Sequence, residues 1–339
     1  MTVPPTDADL VQAVAARLDR LVAEAPRTVV FLPYPCGLGG QISGRVHTLL
    51  LALALDRRPV FLRSDDPPYA QTFAGEPAPA PVGTVVPARL DAAQDDSVVC
   101  YDAARALPFD DALLLPLVSA KLAVAVPDRL ALEGAALAWL RPTLAMATFC
   151  ESERERLGVG GHCLGVHLRR GDKAVETAFV PAAELNRHIA RIQEDWPFEA
   201  LFLASDSPDA AAEIECPPGV ALIFDRDEQR FNNANHKMLV DNPALAEQET
   251  RSAYKNIALL SACGGIVGQD NAHFATLAAG AIRARGVPPS RIALIDGRVA
   301  ERASPAVSAL FAVKKRLRAL ARRLLPHWTM EARMKRRKG

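Results

Sequence analysis

Between residues 163 and 295 short apolar runs alternate with longer helical ones, and this rhythm restricts the fold more than any other feature. The runs 163–169, 200–205, 220–224, 264–268 and 291–295 read as buried strands. The stretches 181–195, 208–214, 243–262 and 272–284 read as helices between them. Strands that return to one sheet through helices make a parallel, doubly wound sheet. Such sheets hold ligands beyond the carboxyl ends of their strands. In the first run Leu164, Val166 and Leu168 alternate with Gly165 and His167. It then breaks into charge: Arg169, Arg170, Asp172, Lys173 and Glu176. Twin guanidiniums at a strand's carboxyl end suit an anionic oxygen cluster, because the planar fork binds phosphate in a bidentate way. A surface turn of solvated charges is the plainer reading of twin arginines. The apolar strand before them and the glutamate after them favour a ligand site.

The first half has the same grammar. Leu10, Val11, Val14, Leu18, Leu21 and Val22 form one stripe of a helix over 6–25. A strand at 28–32 feeds the turn Gly37-Leu38-Gly39-Gly40-Gln41, then a helix from Ile42 to Asp56 and a strand at 59–62, a βαβ unit. Glycines at such a turn permit positive φ and let backbone amides approach a phosphate. Residues 63–97, rich in Pro, Ala and Asp, read as a long connection, and 97–101 as a strand. Helices are expected at 111–125 and 128–149, the second ended or kinked by Pro142, with a separate charged helix at 151–157. The predicted division is 1–160, 161–303 and a tail, 304–339.

The 339 residues carry a net charge of +1. Residues 314–339 hold eleven Lys or Arg against Glu331, a net of +10, so the rest carries −9. On that acidic body no nucleic-acid partner is expected. Six scattered cysteines include no C-x-x-C pair; Cys100 and Cys163 lie in apolar runs and read as buried thiols. No signal peptide and no apolar run of membrane-spanning length are seen, so the expected location is cytoplasmic. The Ala, Arg and Pro bias fits a bacterium of high genomic GC.

The run HLRRGDKAVETAF at 167–179 resembles the donor-binding motif of the α1,6-fucosyltransferases, H-V-R-R-T-D-K followed by a Glu and an aromatic. It is similar, less closely, to the H-x-R-R-G-D motif of the α1,2-fucosyltransferases. Matching requires Gly171 in place of Thr and a one-residue shift before Glu176. G-L-G-G-Q-I at 37–42 resembles that superfamily's N-terminal G-x-G-x-Q-[LI] turn, and F-L-A-S-D-S at 202–207 its F-L-A-T-D-D motif. The turn at 268–273 stands where the family carries T-x-S-S, with Asn271 and Ala272 at the serines. Asn256 stands where the α1,6 group has an Asp that reads guanine.

The resemblance implies a GT-B-like α/β fold, two Rossmann-like domains facing across a cleft. Residues 1–160 then form the acceptor side and 161–303 bind the nucleotide sugar. It implies an inverting transferase that moves fucose from GDP-fucose to a hydroxyl of a glycan or glycolipid. Arg169 matches the family's essential arginine and Glu176 is the candidate base. The donor contacts are Gly39, Gly40, Gln41, His167, Arg170, Asp172, Lys173, Ser205, Asp206, Asn256, Asn271, Ala272 and His273. Arg170 also reads as acting behind Arg169, Asp206 as an ordinary helix cap, and His273 as an ordinary helix residue. Asp225-Arg226-Asp227 has the spacing of a metal-binding D-x-D, yet no metal is expected where arginines stabilise the leaving diphosphate. Another nucleotide sugar, or a non-catalytic nucleotide- or glycan-binding homologue, are the alternatives. In the tail, Leu310, Val313, Leu317, Leu320 and Leu324 recur at helical spacing among cations. That pattern suits a closing helix over 305–320 and, beyond it, contact with anionic lipid or a glycolipid acceptor at the inner membrane face.

Overall fold

The computed structural model describes residues 7–32, 37–61, 85–87, 98–102, 110–170, 179–230 and 242–296. The expectations for Asp172, Lys173, Glu176 and the basic tail lie outside the described residues.

Two parallel sheets organise the chain. The first contains β1 (Thr28–Leu32), β2 (Arg58–Phe61), β3 (Val85–Pro87) and β4 (Val98–Asp102) in the order β2-β1-β4-β3. The second contains β5 (Cys163–Leu168), β6 (Ala200–Ser205), β7 (Ala221–Ile223), β8 (Gly265–Gln269) and β9 (Ile292–Ile295) in the order β7-β6-β5-β8-β9. The expected parallel, doubly wound α/β architecture is thus present. Strand β3 falls inside the stretch expected to be a connection. Its proline and that of β2 explain their places, since a residue with no amide hydrogen is tolerated on edge strands.

The helices are α1 (Asp7–Glu24), α2 (Leu38–Leu55), α3 (Asp111–Leu122), α4 (Arg129–Trp139), α5 (Leu144–Leu157), α6 (Ala182–Asp195), α7 (Pro243–Ala262) and α8 (His273–Ala284). Pro142 does divide the helix expected over 128–149, but the residues beyond it form one helix instead of two. Thr143 caps α5 through the Met146 amide, and α5 absorbs the charged segment before Gly158 closes it in the left-handed conformation, φ 66°. The helix expected at 208–214 is a single 3-10 turn, Ala210–Ala212, cut short before Pro217 and Pro218.

The first hydrophobic core fills the space under β1 and β2 with Phe31, Leu49, Leu53, Phe61 and Leu132, and continues into Ile257 of α7 and Leu277 of α8. The second sheet has a core on each face, one under α6 and one under α7 and α8. Alternation along β5 sends Leu164, Val166 and Leu168 to the first of these and Cys163 to the second. Cys163 is buried as expected, with a thiol pKa pushed up by burial; of Cys100 only the strand position is described.

Helices α4 and α8 fasten the halves together. They cross so closely at Gly134 and Gly280 that a Cβ at 134 would lie 1.9 Å from the Gly280 carbonyl oxygen. Arg283 Nε binds Asp128 Oδ2 at 2.7 Å beside the crossing. Gly134→Val therefore meets backbone that cannot yield. It is expected to cost about 1–3 kcal/mol or more, read as a fall in the thermal unfolding midpoint.

Candidate functional site

Three helices that follow sheet strands, α2 after β1, α6 after β5 and α8 after β8, begin without a side-chain cap. Helices α3, α4, α5 and α7 are capped by Asp110, Asp128, Thr143 and Asn242. The first amides of an uncapped helix, together with its dipole, favour an anion.

Two of these uncapped ends meet. A Cβ at Gly39 would fall 2.9 Å from both the His273 Cβ and a Phe274 ring carbon, so only glycine fits where the start of α2 touches the start of α8. Ser43 Oγ and His273 Nδ1 lie 2.9 Å apart across the same junction. The glycine turn thus serves close approach. The positive φ expected there is absent at Gly37, whose φ is −61°, and α2 starts at Leu38 instead of Ile42, taking Gly39, Gly40 and Gln41 into its first turn. All three are buried.

Beside this junction the second sheet delivers its strand ends. Arg169 and Arg170 follow β5, and Asp206 follows β6, which pairs with β5 in register as far as Leu168 and Ser205. Asp206 joins the two strand ends. One carboxylate oxygen accepts from the Arg170 amide at 2.8 Å, and the other lies 3.9 Å from Arg169 Nη1. Ser205 is buried and its hydroxyl oxygen accepts from the Ser207 amide, a local turn contact.

The two arginines part ways. The Arg170 guanidinium is committed to protein: Nε and Nη2 to the Glu213 carboxylate at 2.7–3.0 Å, and Nη1 to the carbonyls of Arg169 and Val180 at 3.1 and 3.0 Å. It holds no fork free for a ligand. The Arg169 side chain is 29% exposed, and its one partner among the described residues is the long contact to Asp206.

His167, two residues earlier on β5, is 6% exposed and stacks against Phe274 with ring centroids 5.5 Å apart. Its Nδ1 has no hydrogen-bond partner among the described residues. Burial, and then the Arg169 charge, hold its pKa down to about 4, so the ring is neutral at pH 7.

Asn271 and His273 are exposed beside the α8 N-terminus, and Ala272 is its buried N-cap. Asn256 lies on α7 and its amide nitrogen donates to Glu228 Oε1 at 2.8 Å. Arg230, unremarked in the sequence, ties that region to β6. Its guanidinium donates to the carbonyls of Ser205, Asp225 and Glu228 at 2.7–3.1 Å and packs 4.4 Å over Phe224. Asp225 of the D-x-D run is 2.7 Å from Lys255 Nζ and 2.9 Å from Arg156 Nη2. Burial pushes its pKa up, but these cations outweigh it and hold the carboxyl low. Among the described residues no group of three or more His, Cys, Asp or Glu converges on a metal position. A cavity of about 680 Å³ opens between α5, α7 and the segment after β7, lined by Phe149, Arg251 and the same salt-bridged carboxylates. Within that lining Lys255 pairs with both Asp225 and Glu228 at 2.7 Å, and Arg156 with Asp225 at 2.9 Å, so those groups bind one another.

No protein-family description matches the chain, and no curated protein is similar to it in sequence. Solved structures are similar in fold. An arginine-to-lysine mutant of Arabidopsis thaliana FUT1 in complex with GDP superposes with a TM-score of 0.50 at 14% identity, over 79% of this chain and 71% of that one. The fucosyltransferase NodZ from Bradyrhizobium gives 0.44 at 14% identity, over 78% and 94%. POFUT1 in complex with GDP gives 0.40 at 13%, over 79% and 98%. The fold is the GT-B-like one, two Rossmann-like α/β units.

A neutral, buried His167 sets a pH dependence. Above pH 6.5 it is uncharged in both folded and unfolded chains. As pH falls toward 4 only the unfolded chain gains the proton, and stability drops. Between pH 7 and 5 the wild type is expected to lose about 2 kcal/mol more than His167→Gln, measured by urea unfolding at both pH values.

Proposed function

We propose that this chain is an inverting glycosyltransferase that moves fucose from GDP-fucose to a hydroxyl of a glycan or glycoconjugate. The observation that carries the reading is the pairing of a nearly unpartnered Arg169 with the converging, uncapped starts of α2 and α8. Such a site favours a diphosphate on which negative charge grows as the sugar leaves. Arg169 takes the diphosphate as a bidentate fork, and the α8 amides near Ala272 add their dipole. His167 offers its unpartnered ring nitrogen to the nucleotide. Glu176 takes the proton from the acceptor hydroxyl. The arginine and the helix ends do the work that a divalent cation does in D-x-D transferases, and the reaction proceeds without one.

The FUT1 structure that shares this fold is a complex with GDP, which supports a GDP-linked donor here. Residues 1–160 form the acceptor side, residues 161–303 hold the donor, and the basic tail rests on an anionic membrane face or a glycolipid acceptor. No helix among the described residues is long and apolar enough to cross a membrane. A different nucleotide sugar is the second reading, favoured by Asn256 and by Asn271 and Ala272, which stand where the resembled motif has its paired serines. A donor panel read by thermal shift separates the two. Release of GDP on incubation with donor and acceptor separates an enzyme from a binding protein.

Arg169→Ala is expected to leave the unfolding midpoint near that of the wild type and to cut turnover by about 10²–10³-fold; wild-type turnover defeats the diphosphate role. Glu176→Gln should lower turnover by about 10²–10⁴-fold with GDP affinity unchanged by calorimetry, since a base acts on the acceptor. An equal loss of GDP binding would move Glu176 to the donor.

A further inference from the structure

Arg170 does something other than bind donor. Its guanidinium donates at once to the carbonyl of Arg169 and to that of Val180, residues on either side of the segment 171–178. Its own amide is fixed by Asp206. The fork is aimed by Glu213, which comes from beyond β6 and meets Nε and Nη2 with both carboxylate oxygens. Phe179 lies with its ring centroid 5.7 Å from the guanidinium carbon. Asn186 of α6 holds the segment bearing Glu213, donating to the Glu213 carbonyl at 3.1 Å and accepting from the Glu215 amide at 3.1 Å.

We propose that the Arg170–Glu213 pair is a positioning device. It ties residue 169 to residue 180 and thereby fixes both ends of the segment that carries Lys173 and Glu176. A guanidinium is suited to this and an ammonium is not, because five donors in one plane reach two carbonyls and a carboxylate together. Glu213 sits 43 residues from Arg170, and no motif announces it. The pair acts through other residues: Arg169 meets the ligand, and Arg170 with Glu213 determines where Arg169 and Val180 stand. The catalytic consequence rests on the function proposed above; the structural tie does not.

The test uses the full chain with Arg170→Lys and Glu213→Gln, the second a milder change that retains an acceptor oxygen. Hydrogen exchange on peptides spanning 169–181 reads the tie without any activity. Both variants should exchange at least about tenfold faster there, with the unfolding midpoint and the remaining peptides near wild type. Unchanged exchange overturns the proposal. With GDP-fucose and an acceptor, both variants should lose about 10²-fold in kcat, the size of an ångström-scale misplacement. GDP affinity by calorimetry should stay within about threefold of wild type by the same reasoning. A loss of GDP affinity as large as the loss of kcat would make Arg170 a donor ligand and overturn the positioning role, as would wild-type kcat in both variants. A wild-type chain that turns over no nucleotide sugar would overturn the transferase reading alone, leaving the exchange result to decide the tie.

Discussion

The site exists because two helix starts touch where a side chain cannot fit. At residue 39 a Cβ would overlap His273 and Phe274, and at residue 134 it would run into the backbone of residue 280. These contacts hold the carboxyl edge of the first sheet against that of the second. Edges of parallel sheets are where ligands gather in α/β proteins. Here the helices that follow one strand of each sheet, α2 and α8, begin side by side without a serine or aspartate cap. The same contact places Phe274 over His167, which is why that ring is dry, neutral and short of a hydrogen-bond partner.

Adjacent arginines would repel if both pointed at one empty site. The structure resolves this by giving Arg170 a full carboxylate and two carbonyls, while among the described residues Arg169 keeps a 3.9 Å contact with Asp206. Asp206 restrains both without neutralising either, since one oxygen is spent on the Arg170 amide. A charge left weakly paired at a half-buried edge is available to an anionic group. A second free guanidinium beside it would add desolvation cost before any ligand arrived.

Much of this was legible in the amino-acid sequence because it depends on local pattern. The strand–helix rhythm from 163 to 295 predicted the second sheet to within a residue or two, and α7 to its last residue. Contacts made by residues far apart were not legible. Glu213 and Arg230 act through geometry set by the sheet, and neither lies in a spaced motif. The glycines at 37–40 were read for backbone freedom, whereas at Gly39 the constraint is the His273–Phe274 wall across the junction of α2 and α8. Strand β3 was hidden because Pro87 reads as a breaker unless the strand is known to be an edge.

The asparagine at 256 shows how a departure from a motif can be forced by its neighbours. Its amide nitrogen donates to Glu228 Oε1 at 2.8 Å, and the other Glu228 oxygen already accepts from Lys255. Burial pulls the Lys255 pKa down, but Glu228 and Asp225 outweigh it, so the lysine stays charged. Lys255 is shared among three carboxylates, Asp225 and Glu228 at 2.7 Å and Glu153 at 3.8 Å. An aspartate at 256 would therefore set one buried carboxylate directly against another, which costs an ionised group or a proton. Asparagine donates where aspartate can only accept. The carboxylate of this corner is thus supplied by Glu228, at the end of a clamp that Arg230 fastens to the Ser205 carbonyl. Residue 256 follows from that choice.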